Sequence, residues 1–174
     1  VERADGSFLL AGPVRIAVPA FDVRFWDAAE SLRYFLRDRA KLSVSLSNRA
    51  EGCAIVFEPA STTPPASDDE SYSLAVTPDG IRIRADGATG AFWAVQTLRQ
   101  LLPPDVERGA TSPPLVVPAV TITDSPRFAW RGSLVDVGRH CLPPVFIKRY
   151  IDLLALHKMN VLHWHLTEDQ GWRL

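Results

Sequence analysis

Two short polar segments near the end of the printed sequence hold the residues whose types and spacing could do chemistry. The first is Gly138-Arg139-His140, and the second runs from residue 163 to residue 170 with the sequence HWHLTEDQ. Histidines, acids and a tryptophan crowded into one segment are costly to order unless the segment binds something. Trp164 and Trp172 could stack on the face of a sugar ring or pack in a core. We therefore take the two segments as the candidate site.

One interpretation of this cluster is a metal site. His163 and His165 are two residues apart on a predicted strand, so their side chains lie on the same face. Two histidines arranged in this way are found in zinc sites, and Glu168 or His140 could be further ligands, but a closed site would need other ligands that this chain does not show. The alternative is that His163 packs within the fold and hydrogen-bonds to its neighbours, and the residue pattern leaves both open.

A second interpretation is carbohydrate binding. Arg139 offers a planar fork of N–H donors that suits neighbouring sugar hydroxyls. It could equally form a structural ion pair with Asp136 or Glu168. Glu168 and Asp169 are adjacent, so on extended backbone their side chains point in opposite directions, which makes them a poor acid/base pair.

The elements that must position these residues form a strand–helix–strand unit. Strands are predicted at residues 134–137 and 161–166, with a helix at about residues 145–158 between them. Such units build parallel sheets, and in (β/α)8 barrels the active site lies at the C-terminal strand ends, where both polar segments fall. A complete barrel needs about 250 residues. We therefore expect an incomplete barrel in these 174 residues.

The preceding residues predict two amphipathic helices. The first is expected at residues 27–41, with Asp27 as the N-cap and Glu30 at the capping-box position. The second is expected at residues 88–102, where an apolar stripe at helical spacing ends at two prolines. Together with the hairpin described next, these helices indicate a small α+β domain in which two helices accompany an antiparallel sheet.

Turn and linker signals complete the predicted organisation. Pro78-Asp79-Gly80 is a turn sequence and predicts a hairpin over residues 72–84. Asp124-Ser125-Pro126 has the composition of a linker, so we expect one domain at 1–124 and the start of the barrel at 125–174.

Composition excludes several classes of function. Hydrophobic residues make up 47% of the chain, which is enough for a packed core. The net charge is only −1, so no long-range electrostatic field would attract nucleic acid or an anionic membrane. No apolar run approaches the roughly 20 residues of a membrane span. Cys53 and Cys141 could pair, but their spacing does not indicate it, and we expect two buried free thiols. Without a CxxC motif a thiolate zinc site is not supported. The chain opens on Val1 rather than Met, so we expect a start codon, leader or tag to have been removed.

Three stretches carry a resemblance to a known family. Residues 130–140 (WRGSLVDVGRH), 146–160 (FIKRYIDLLALHKMN) and 163–173 (HWHLTEDQGWR) resemble the opening of the catalytic barrel of family 20 glycoside hydrolases, the β-N-acetylhexosaminidases. The predicted hairpin and the following helix, which contains QTLRQLL, are similar to the small α+β domain that precedes this barrel.

The resemblance implies hydrolysis of terminal β-linked GlcNAc or GalNAc with retention, in which the acetamido oxygen of the substrate is the nucleophile. The family's Asp–Glu catalytic pair lies on a later barrel strand and has no counterpart here, so no catalytic residue is expected in this chain and the 174 residues alone should be inactive. Arg139 matches the arginine that binds hydroxyls of the terminal sugar. Glu168, at a position often held by Asp, and His165 match residues that support the active site.

The resemblance also implies no metal and no cofactor. The expected partner is a carbohydrate with a terminal N-acetylhexosamine, and a dimer could form through the exposed incomplete barrel. Secreted, periplasmic and lysosomal locations all suit the family. Two other functions stay open at this point: a metal-dependent barrel hydrolase that uses His163 and His165, and a non-catalytic accessory module formed by residues 1–124.

Overall fold

The structure is a computed structural model that describes residues 1–61, 69–169 and 171–172. It divides into two compact units, Val1–Pro126 and Arg127–Leu174, which are described in turn. Gln170 of the second polar segment and Arg173 of the stretch 163–173 lie outside the described residues.

The first unit is a seven-stranded sheet with two α-helices. Its strand order is β1-β7-β5-β6-β4-β2-β3. In chain order the elements are β1 (Glu2–Leu10), β2 (Val14–Ala17), α1 (Val23–Asp38), β3 (Val44–Ser47), β4 (Ile55–Pro59), β5 (Tyr72–Thr77), β6 (Gly80–Ala85), α2 (Ala88–Leu101) and β7 (Leu115–Asp124).

The sheet is mixed, so the predicted antiparallel sheet is wrong. β2 runs parallel to both β3 and β4, and β4 runs parallel to β6, whereas β5, β7 and β1 pair antiparallel. The physical reason is the connection between strands. A helix that crosses over the sheet brings the chain back to the end at which the previous strand began, so the next strand runs parallel to it. Helix α1 connects the parallel strands β2 and β3 in this way. The predicted hairpin is confirmed as β5 and β6.

Helix α1 starts four residues earlier than predicted. Asp22, not Asp27, is the N-cap, and its carboxylate accepts the backbone N–H of Arg24 at 3.0 Å. Glu30 pairs instead with Arg33 at 2.7 Å. Asp27 and Glu30 match the capping-box spacing, but both lie inside α1. An Asp followed three positions later by a Glu also occurs by chance on the charged face of a helix.

Helix α2 confirms the prediction to within one residue, and it lies very close to the backbone of the segment that leads into β5. A Cβ atom at Gly90 would lie 2.3 Å from the carbonyl oxygen of Ser71. Only glycine allows this approach without movement of the backbone. The apolar faces of α1 and α2 and the alternate residues of the strands then form one continuous buried core, which includes Phe25, Leu32, Phe57, Ile83 and Leu98.

Two strands of this unit depend on their partners rather than on a pattern in their own residues. β1 is almost entirely exposed and has no alternating pattern, and it is a strand because it pairs with β7. β3 is a four-residue edge strand that pairs with β2. Both cysteines are free thiols, but the prediction that they are buried is wrong, since Cys53 is only partly buried and Cys141 is exposed.

The second unit contains a parallel strand pair and one helix. Its elements are β8 (Gly132–Asp136), α3 (Pro144–Leu156), β9 (Val161–His165), β10 (Thr167–Glu168) and β11 (Gly171–Trp172). β8 and β9 are parallel, and β10 and β11 form a small antiparallel ladder. The predicted strand–helix–strand unit is therefore confirmed, and within the described part of the chain no helix is long and apolar enough to cross a membrane.

Candidate functional site

The site is built on the C-terminal ends of β8 and β9. The register pairs Leu134 with His163 and Asp136 with His165, so the last residues of both strands lie side by side. Val135 points to the opposite face, where it packs against α3, because successive residues of a strand alternate between faces. Asp136 and His165 therefore share the face that α3 leaves open.

Arg139 joins the loops that follow the two strands. Its Nη1 atom donates to Oδ2 of Asp136 at 2.8 Å, and its Nη2 atom donates to Oε2 of Glu168 at 3.0 Å. From the residue pattern, an ion pair with either carboxylate was an alternative to sugar binding, and the structure shows pairs with both. The Arg139 side chain is nonetheless 59% exposed, so the same guanidinium is also accessible from solvent.

His165 lies between the two carboxylates. Its Nε2 atom is 2.8 Å from the carbonyl oxygen of Thr167, to which it can donate, and 3.4 Å from Oε2 of Glu168. Its Nδ1 atom is 3.7 Å from Oδ2 of Asp136. The ring is thus in contact with both acids that hold Arg139.

The charges of this cluster act on Asp136 in particular. The backbone N–H of Arg139 is the main reason that the pKa of Asp136 lies below its ordinary value, and the charges of His165 and Arg139 act in the same direction. Burial opposes these effects. Asp136 therefore stays ionised at neutral pH and keeps its attraction for the guanidinium.

A glycine allows the two loops to meet. A Cβ atom at Gly138 would lie 2.9 Å from Cβ of Glu168 and 3.1 Å from its backbone nitrogen. Any larger residue would push the loops apart, and with them the two carboxylates. Sequence reasoning missed this role, although the position of Gly138 directly before Arg139 was a usable signal.

The remaining predicted residues do not join this cluster. His163 shares the open face but is exposed, and His140 is exposed in the loop after β8. Trp164 is partly exposed, and Trp172 is 74% exposed beside a shallow depression lined also by Thr167, Glu168, Asp169 and Gly171. Among the described residues, no group of three His, Cys, Asp or Glu side chains is placed to hold a metal ion.

The arrangement can bind polar groups rather than transfer protons between paired acids. Two carboxylates are occupied by one guanidinium, and the remaining guanidinium N–H groups suit oxygen acceptors such as hydroxyls. The arrangement is therefore suited to hydrogen-bonding a polar molecule.

Comparison with known families covers nearly the whole chain. Residues 1–125 match the family model described as glycosyl hydrolase family 20, domain 2, and residues 128–174 match the model described as glycosyl hydrolase family 20, catalytic domain.

Individual relatives are identical to the chain at somewhat more than a third of the aligned positions. The beta-hexosaminidase of Porphyromonas gingivalis is 38% identical over 175 residues, which cover 99% of this chain and 22% of that protein. The N,N'-diacetylchitobiase of Vibrio harveyi is 34% identical over 175 residues and is covered to 18% of its length.

Solved structures of beta-hexosaminidases also match the chain. A mutant of the Streptomyces plicatus beta-hexosaminidase in complex with its product GlcNAc superposes with a TM-score of 0.86 at 36% identity, covering 99% of this chain and 34% of that one. The chain therefore spans between about a fifth and a third of the length of the relatives it matches.

Proposed function

The chain belongs to glycosyl hydrolase family 20, and from this premise we propose that it is the N-terminal part of a retaining β-N-acetylhexosaminidase. The substrate would be a carbohydrate with a terminal β-linked GlcNAc or GalNAc. The observation that carries the proposal is the exposed guanidinium of Arg139, held at the C-terminal ends of two parallel strands within the segment that matches the catalytic-domain model.

Arg139 is proposed to hydrogen-bond hydroxyls of the terminal sugar. A guanidinium has five N–H groups in a fixed plane, and the contacts to Asp136 and Glu168 use two of them. The contacts hold the group in place before the sugar arrives, so less conformational freedom is lost on binding.

Glu168 and His165 are proposed to support this arrangement. Glu168 accepts from Arg139 at 3.0 Å, and His165 lies 3.4 Å from the same carboxylate oxygen. The two residues thereby tie the loop after β9 to the loop after β8.

The bond-breaking step is proposed to be substrate-assisted. The acetamido oxygen of the sugar would attack, and an Asp–Glu pair on a later barrel strand would orient it and supply the general acid/base. In this proposal β8, α3 and β9 open a (β/α)8 barrel in a domain that starts near residue 125, and residues 1–124 form the domain that precedes it.

The test is hydrolysis of 4-nitrophenyl N-acetyl-β-glucosaminide by the longest polypeptide that the gene encodes, compared with the 174 residues alone. We expect turnover from the first and none from the second. Lack of turnover by the longer polypeptide would contradict the activity, and turnover by the 174 residues would contradict the placement of the catalytic pair. Unchanged rates in EDTA would separate this mechanism from a metal-dependent hydrolase.

The role of Arg139 is tested by Arg139→Met, which keeps much of the side chain's length and removes its donors. We expect KM to rise by tenfold or more, since hydrogen bonds to a charged group contribute about 1.5–3 kcal/mol each. The matched control is Arg149→Met, which changes an exposed arginine on α3 and should leave KM unaltered. Equal KM values for the two variants would contradict the assignment.

Self-association through the open face of the second unit is a further part of the proposal. It is supported by the exposed apolar side chain of Leu134, which shares that face with Asp136 and is 53% exposed. Sedimentation of the 174 residues over a range of concentrations should show a dimer, and a monomer at all concentrations would contradict it.

A further inference from the structure

Asp136 contacts Arg139 at both ends of the arginine residue. Its Oδ1 atom accepts the backbone N–H of Arg139 at 3.0 Å, and its Oδ2 atom accepts from Nη1 at 2.8 Å. On the basis of the function proposed above, we propose that Asp136 is a positioning residue, which fixes the orientation in which Arg139 meets the terminal sugar.

The double contact restrains a side chain that is otherwise flexible. An arginine side chain has four rotatable bonds and loses much rotamer freedom when it is ordered. Since the same carboxylate holds the backbone N–H and the guanidinium, the loop from Asp136 to Arg139 is closed into a ring. The guanidinium plane is thereby set in advance of ligand binding, which is the condition for tight, oriented contacts to hydroxyls.

Glu168 completes the arrangement from the opposite side. It accepts from Nη2 at 3.0 Å, so each terminal nitrogen of the guanidinium has its own carboxylate. Both loops reach this point because Gly138 has no Cβ atom to separate them.

Of the two carboxylates, Asp136 is the better anchored. It is the last residue of β8, which pairs with β9 over all five residues, and its partner in that register is His165. Glu168 belongs to the two-residue strand β10 and its Oε2 atom is also approached by His165. Asp136 therefore sets the position of Arg139, and Glu168 adds to it.

The experiment uses Asp136→Asn in the longest polypeptide that the gene encodes, with 4-nitrophenyl N-acetyl-β-glucosaminide as substrate. The amide keeps the shape of the carboxylate and can still accept the backbone N–H, but its NH2 group then faces the guanidinium, donor to donor. We expect KM to rise about tenfold with a smaller change in kcat, as expected when an interaction with a non-reacting part of the substrate is weakened. The control is Asp152→Asn, which changes an exposed carboxylate on α3 and should leave KM unaltered.

A double-mutant cycle distinguishes positioning from a general structural role. If Asp136 acts through Arg139, then Asp136→Asn should change KM less than twofold in the Arg139→Met background. An equal effect in both backgrounds would overturn the proposal, as would an unchanged KM in the single variant. If turnover is too slow to measure, the dissociation constant of N-acetylglucosamine, determined by calorimetry for the same four proteins, replaces KM in the cycle.

A variant that fails to fold is identified by its thermal unfolding, and Asp136→Glu then takes its place. Glutamate keeps the charge but adds a methylene, so its carboxylate cannot occupy both contact positions, and we again expect an increase in KM that disappears in the Arg139→Met background. An increase that persists there would overturn the proposal. Failure of the wild-type polypeptide to hydrolyse the substrate would instead contradict the proposed function itself.

Discussion

The two units of the molecule bury their apolar side chains to very different extents. Among the residues that the structure describes, thirty buried side chains of the first unit form one core between the helices and the sheet. In the described part of the second unit the buried core consists of Val135, Val137 and Ile147. Large side chains of the second unit are exposed instead, among them Phe128, Trp130, Leu134, Phe146 and Trp164.

The difference follows from layer geometry. A seven-stranded sheet presents enough surface for two helices to bury one whole face, whereas two parallel strands and one helix leave most of their apolar surface in contact with water. Because burial of apolar surface is the main favourable term in folding, we expect the first unit to fold alone and the second to need further chain.

Each unit contains an aspartate that accepts both the backbone N–H and the guanidinium of a nearby arginine. In the first, Asp22 accepts the backbone N–H of Arg24 at 3.0 Å and pairs with its guanidinium at 2.6 Å. In the second, Asp136 does the same for Arg139. The first pair starts a helix and is mostly shielded, while the second leaves its arginine exposed at a strand end. The same kind of ion pair thus caps a helix in one unit and holds an exposed arginine at a strand end in the other.

The largest expected effect comes from separating the units. We expect residues 1–126 to unfold cooperatively in urea and residues 127–174 to show the circular dichroism of an unfolded chain, because the second unit buries too little apolar surface. A well-dispersed amide NMR spectrum of residues 127–174 alone would show that the second unit folds by itself, and the proposed difference in stability between the units would then be wrong.

A smaller effect is expected from truncating one phenylalanine in each unit. Phe57 is fully buried and stacks on Phe25 with ring centroids 6.1 Å apart, so Phe57→Ala should lower the free energy of unfolding by roughly 3–5 kcal/mol. Phe146 in α3 is 44% exposed, and Phe146→Ala should change it by less than about 1 kcal/mol. Urea unfolding of the 174-residue variants gives both values, and similar losses would mean that the second unit has a real core.

The smallest effect concerns the helix cap. Replacement of Asp22 by Ala removes the N-cap of α1 and should destabilise residues 1–126 by about 1 kcal/mol at pH 7, whereas Asp22→Asn keeps a good cap and should cost less. The side chain of Arg24 is the main reason that the pKa of Asp22 lies below its ordinary value.

This shift sets the sign of the pH dependence. A carboxyl group whose pKa is lower in the folded state stabilises the protein above its unfolded pKa, near pH 4, and the contribution is lost as the pH falls through the folded pKa. The difference between wild type and Asp22→Ala should therefore shrink between pH 5 and pH 2, which urea unfolding at several pH values can measure. A constant difference would show that the ion pair adds nothing to the cap.

Local features of the sequence were enough to determine several elements. The stripe that ends at Pro103-Pro104 predicted α2 within one residue, and Pro78-Asp79-Gly80 predicted the hairpin of β5 and β6. Helical spacing and turn chemistry are properties of consecutive residues, so no distant partner is needed to recognise them.

Other features needed partners far apart in the chain. β1 is a strand only because β7 lies beside it, and no periodicity within residues 2–10 could reveal that. At the site, the types and order of Asp136, Arg139, His165 and Glu168 were sufficient to identify a polar cluster at two strand ends. Which carboxylate would hold the arginine depended on the register of β8 with β9 and on the missing Cβ of Gly138. The sequence by itself determined the chemical groups, and the tertiary structure decided that one guanidinium would meet both acids, because ion pairing depends on distances that neighbours in sequence do not set.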